Sequence, residues 1–111
     1  LHPEKIVIDS SKEQKEPYID IALFRRSLVY PKSAFTNGIE AKVEVRTLVD
    51  RGGYCVRAFV EGMWDCRNSP ECDLLAKSAL QTVQATRLTP AIVNGQPTPV
   101  WVMIPVVFRV K

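Results

Sequence analysis

The residues best equipped for chemistry are three cysteines, one histidine and a scatter of carboxylates. Cys55, Cys66 and Cys72 make an odd set. Only Arg67-Asn68-Ser69-Pro70-Glu71 separates the second from the third, so a bridge there would close a small loop worth about 2.4 kcal/mol in the chain-entropy model. Free thiols at Cys66 and Cys72 are the alternative, and Cys55 is left as a free thiol by default. No Cys-x-x-Cys pair or neighbouring histidine completes a metal-ligand set. His2 is the one histidine and stands beside the first residue, which puts a His-based triad out of reach of a monomer. Asp50, Glu61, Asp65 and Asp73 are spread over turns and loops with no nucleophile or base arranged between them. The glycines Gly38, Gly52, Gly53 and Gly95 follow turn chemistry and form no phosphate cradle. Phe59 and Trp101 offer ring faces on which bases could stack. The charge, however, is only +3, and its two signs alternate along the chain, so nucleic acid is not expected. No enzyme activity, cofactor or metal follows from these residues, which leaves a binding or structural module to consider.

Something must position such a module's contacts, and 111 residues suffice for one domain with one core. The longest apolar run, residues 100–108, is broken by Pro105 and falls short of the roughly 20 residues needed to cross a bilayer. The chain as given reads as soluble. Its first residue is Leu1 rather than Met, which suggests a processed protein or a fragment of a longer one. Residues 1–17 read as a leader or linker remnant. Ile6-Val7-Ile8 could add an edge strand there, but a solvated tail is the reading taken. Residues 18–111 form the domain.

Asp20 can cap a short helix in which Ile21, Phe24 and Leu28 recur at helical spacing. Pro31 forces its end by Tyr30 and can start another short helical turn through Phe35, with Asn37-Gly38 as a left-handed exit. The clearest period is two: Ala41, Val43, Val45, Thr47 and Val49 share one face of a strand. Asp50-Arg51-Gly52-Gly53 then reverses the chain into a second alternating run through Tyr54, Val56, Ala58 and Val60. After a loop over residues 62–68, Ser69 and Pro70 open a helix whose Leu75, Ala76, Ala79, Leu80 and Val83 form an apolar stripe for packing on a sheet. Residues 90–99 read as a turn-rich connection around Asn94-Gly95, Pro97 and Pro99. A long third strand follows at 100–110, with Val100, Val102, Ile104, Val106, Phe108 and Val110 on one face.

This order predicts an α+β domain: a three-stranded antiparallel sheet with two helices packed on one face. Pro105 cannot donate to a ladder, so the last strand is expected at a sheet edge or with a bulge. The second sheet face carries Leu48, Phe59, Trp101, Met103 and Val107, more apolar than a solvated face requires, which marks it for a partner or for homodimerisation, for example by exchanged strands.

Three stretches, Tyr30-Pro31-Lys32-Ser33-Ala34, Gly38-Ile39-Glu40-Ala41-Lys42-Val43-Glu44-Val45 and Val49-Asp50-Arg51-Gly52-Gly53, resemble the opening motifs of the TonB C-terminal domain family. The resemblance continues through the helix at 74–83, through Pro90-Ala91-Ile92-Val93-Asn94-Gly95-Gln96-Pro97, and through the last strand. It implies the periplasmic domain of a Gram-negative energy transducer, anchored in the inner membrane by an N-terminal helix and driven by the proton gradient through ExbB and ExbD. The partner it implies is the N-terminal TonB-box segment of an outer-membrane transporter importing a siderophore, haem, vitamin or glycan. That segment would add as a strand along Val100, Trp101, Val102, Met103, Ile104, Val106 and Phe108, with main-chain bonds setting register and side chains setting partner choice.

By the same carry-over, Val29, Tyr30 and Pro31 touch the receptor motif; as a bare sequence feature, Tyr30-Pro31 is equally a fixed corner between helices. The sequence departs from the family at Val29, where many members have a polar residue, and at Thr86 and Leu88, where they have aromatics. The loop 62–68 and the cysteines have no match in the family pattern. A periplasmic sensor or assembly domain of a larger envelope protein is the alternative function. The contrast between a proline at Val102 or Ile104, expected to abolish binding, and a Lys77→Ala change, expected to be silent, separates strand addition from other modes.

Overall fold

A computed structural model describes residues 2–3 and 14–110. The sheet is built around β3 (Ala41–Val49), whose strict alternation buries Ala41, Val43, Val45, Thr47 and Val49 completely. It pairs antiparallel with β4 (Cys55–Trp64) on one side and with β7 (Val100–Phe108) on the other. The hydroxyl of the buried Thr47 donates to the Arg57 carbonyl at 2.9 Å, so its polar atom is satisfied inside the core. The β3–β4 reversal is held by Asp50, whose carboxylate accepts the N–H groups of Gly52 and Tyr54 at 2.9 Å each.

The helical layer covers one face. Asp20 caps α1 (Ile21–Ser27) by accepting the Leu23 N–H at 3.0 Å. Its Phe24 enters the core, Leu28 is half-buried just past its end, and Ile21 is half exposed, so only part of the expected apolar face is covered. Next come α2 (Lys32–Thr36), which contributes Ala34, and α3 (Pro70–Ala85), capped by Ser69 and carrying Glu71 and Asp73 in its first turn. Leu75, Ala79 and Val83 of α3 have no exposure and pack over β3 and β4. The fold is α+β, with the helices on one face of a three-stranded antiparallel sheet ordered β7-β3-β4.

Several expectations shift in detail. The second strand runs on to Trp64, so Gly62, Met63 and Trp64 belong to β4 rather than to a loop. An extra residue near Glu61 lets the pairing resume at Glu44 and Lys42. The last strand ends at Phe108, not Val110. The connection after α3 contains β5 (Ala91–Val93) and β6 (Gln96–Thr98), a hairpin around Asn94 and Gly95, both at positive φ as a two-residue reversal demands.

Two pieces of the segment read as a leader also pair with the fold. β1 (His2–Pro3) lies antiparallel on β7 and extends the main sheet to the order β1-β7-β3-β4, while β2 (Gln14–Lys15) lies antiparallel on β5, which gives a second small sheet ordered β2-β5-β6. Ile6-Val7-Ile8 lies outside the described residues.

Candidate functional site

β4 and β7 flank β3, and their sequences prepare their outer sides differently. Along β4 the register with β3 shifts twice, between Glu44 and Val45 and between Leu48 and Val49. Such bulges twist an edge and interrupt its row of main-chain groups, which discourages addition of another strand. Along β7 all nine residues pair with β3 without a shift. Among the described residues, β1 alone pairs with its far side.

Pro105 fixes which main-chain groups face that far side. Each residue of an antiparallel strand points its N–H and C=O to the same neighbour, alternating along the chain. Pro105 has no N–H, yet the ladder to β3 continues through its pairing with Glu44. Its nitrogen therefore faces outward, and Trp101, Met103 and Val107 share that direction. Val102, Ile104 and Val106 turn their main-chain groups toward β3. Their side chains, with that of Phe108, are buried under the helices. The edge thus offers donors at 101, 103 and 107, with a gap at 105.

The side chains around this edge form two surfaces. On the outer sheet face Trp101 meets Phe59 edge-on, with ring centroids 6.1 Å apart. Phe59 and Val107 are each about half exposed. Beside the C-terminal half of β7, a groove of about 480 Å³ runs between the strand and α1. Ile21, Leu28, Pro105 and Val107 give it apolar walls, and Arg25 and Arg109 add two guanidinium groups. Arg109 also approaches Asp65 at 3.8 Å. Sequence reasoning did not find Ile21, Arg25, Leu28 and Arg109 as a group. The helical spacing of 21, 25 and 28 was a usable signal, but which strand they would face was not.

The predicted contacts at 29–31 are placed less uniformly. The Tyr30 hydroxyl donates to the Ile39 carbonyl, and its ring packs edge-on against Phe35 and Phe108 at 5.4 and 5.2 Å. Burial is the main reason its phenol is held above the ordinary value, with the Glu40 charge adding and Arg109 opposing. Tyr30 is thus a corner post that locks α2 to the end of β7. Pro31 precedes α2 as its N-terminal boundary. Val29 is 66% exposed, and its carbonyl accepts from the Ser78 hydroxyl of α3. Its side chain borders a different groove, of about 490 Å³, between α1 and α3. The structure does not bring Val29 to the edge of β7.

The reactive-looking residues have structural partners. Cys66 and Cys72 are bridged, joining the segment after β4 to the first turn of α3. Cys55 is a half-buried free thiol whose sulfur lies 2.8 Å from the Thr47 hydroxyl oxygen. Glu61 is chelated by Arg46 at 2.5 and 2.8 Å, and this hydrogen bonding holds its carboxyl below the ordinary range. Asp50 holds the hairpin turn, and Asp73 sits in the first turn of α3. No group of three potential metal ligands occurs among the described residues.

The β7 edge, regular in its pairing with β3, is thus flanked by an apolar groove and an aromatic face. Residues 26–110 match the family described as Gram-negative bacterial TonB protein C-terminal, and the chain belongs to that family. It is a TonB-like periplasmic domain of a kind that interacts with outer-membrane transporters. No curated protein and no solved structure matches the chain.

Proposed function

We propose that this domain grips the extended N-terminal segment of an outer-membrane transporter by adding it as a strand to β7, and so transmits proton-motive-force energy to nutrient import. The observation that carries this reading is the contrast between the two edges: nine residues of β7 in unbroken register against two shifts in β4. β1 supports it further, since an extended segment already lies antiparallel at Val102 and Met103.

A docked segment would take main-chain bonds from Trp101 and Met103 and then pass the groove at α1. An apolar side chain next to a carboxylate suits that groove best, because it would fill the apolar walls and meet Arg25 and Arg109. Val29 would contact a partner only if the segment continued past α1. Anchoring in the inner membrane and coupling to ExbB and ExbD belong to the same proposal, through a region preceding this domain. Self-association through Leu48, Phe59, Trp101, Met103 and Val107 is a secondary proposal. Sedimentation as a monomer at every concentration would overturn it.

The test is a titration of labelled N-terminal segments from the same organism's outer-membrane transporters, followed by amide chemical shifts. Saturable binding with shifts concentrated at 100–108 is expected. Absence of binding to a folded domain would overturn the reading and favour a periplasmic sensor or assembly role.

A further inference from the structure

The edge that suits a partner strand is not empty. β1 places His2 opposite Met103 and Pro3 opposite Val102, antiparallel to β7. Met103 is one of the residues whose N–H and C=O face outward, as the position of Pro105 requires. His2 can therefore exchange main-chain hydrogen bonds with it. Pro3 stands opposite Val102, which turns inward, so its missing N–H leaves no outward donor unmatched. The pairing of this two-residue strand is chemically consistent along its whole length.

We infer that the β7 edge is shared: the chain's own N-terminal segment occupies Met103, and an incoming transporter segment must displace it. The inference rests on the reading of β7 as the docking edge. Two features suit β1 to a displaceable role. It is only two residues long, so it contributes few bonds. It also belongs to the same chain as its edge, and Gln14 and Lys15, eleven and twelve positions beyond Pro3, are paired to Val93 and Ile92 of β5. A segment of the same chain competes for the edge intramolecularly, whatever the concentration of protein, whereas a partner's competition depends on its own concentration.

Occupancy by β1 has two readouts that must agree. If the edge is free for a fraction of the time, the partner's apparent Kd rises by the inverse of that fraction. The amide of Met103 is protected from hydrogen exchange by the same factor. Val107 has the same outward direction but lies beyond β1, which makes it the internal reference.

The experiment compares the full chain with its His2→Pro variant, which lacks the N–H that can bond to Met103 while leaving the domain intact. Exchange of Met103 relative to Val107 and binding of a labelled transporter N-terminal segment are both measured. In the full chain Met103 should exchange at least about threefold more slowly than in His2→Pro, and the variant should bind the segment tighter by a similar factor. Equal Met103 exchange in the two chains would overturn the inference, as would slower exchange with no gain in affinity. If no segment binds either chain, the docking reading fails, and the exchange comparison alone decides whether β1 occupies the edge.

Discussion

Tyr30 shows how one residue can resemble a contact and act as a post. Its hydroxyl donates to the Ile39 carbonyl, and its ring is wedged between Phe35 and Phe108. Tyr30→Phe should therefore lower stability by about 1 kcal/mol and leave segment binding within twofold. The phenol's pKa is raised in the fold, chiefly by burial, so the unfolded chain loses this proton first as pH rises. Its contribution is present below the unfolded value near 10 and declines above it. Denaturant unfolding of wild type should show a fall in stability entering that alkaline range, and the fall should be smaller in Tyr30→Phe. An unchanged alkaline slope would assign the loss to other groups. The neighbouring Val29 is readable from sequence only as an apolar residue before a corner. Its position at the α1–α3 groove depends on the packing of α3.

At the scale of the element, β7 has two functional directions interleaved along one strand. Met103 points its main-chain groups outward, whereas Val102 and Ile104 point theirs at β3. Proline at either of the latter would therefore damage the sheet itself, which confuses loss of binding with loss of fold. Met103→Pro removes only an edge donor. It should weaken binding of the transporter segment at least about tenfold while lowering stability by less than about 1 kcal/mol. Ile104→Pro should cost at least about 2 kcal/mol of stability, because it removes a ladder bond and places a ring against β3. Urea denaturation beside the titration separates the two, and similar stability loss in both would refute the assigned directions. The alternation of β3 and β7 was legible because each strand has one buried face. The short β5–β6 hairpin was not, since three-residue strands with Pro97 carry almost no period.

At the scale of the whole molecule, the reversal between β3 and β4 is tied to the connection after α3. The Leu88 N–H donates to the Gly53 carbonyl at 2.8 Å, and Arg87 donates to the Gly52 carbonyl at 3.0 Å while stacking 4.5 Å above the Tyr54 ring. Gly53 lies at φ +87°, and a Cβ there would stand 1.8 Å from the Leu88 carbonyl oxygen. Gly53→Ala should destabilise the domain by at least about 2 kcal/mol, read as a lower denaturation midpoint with little change in slope. A loss below about 0.5 kcal/mol would show that this junction yields easily.

The sequence by itself determined the elements with a strong period: the alternation of β3 and β7, the Asp50 turn, the capped start of α3, and an α+β order with Pro105 at an edge. These depend on spacing within one segment, where side-chain period and main-chain geometry are linked directly. Tertiary structure alone decided the rest: which edge stays regular, that Arg25 and Arg109 flank one groove, that Val29 faces α3, and that His2 and Pro3 lie on β7. Each of those facts joins residues far apart in the chain. No local period encodes them, because they follow from how packed layers bring separate segments to the same edge.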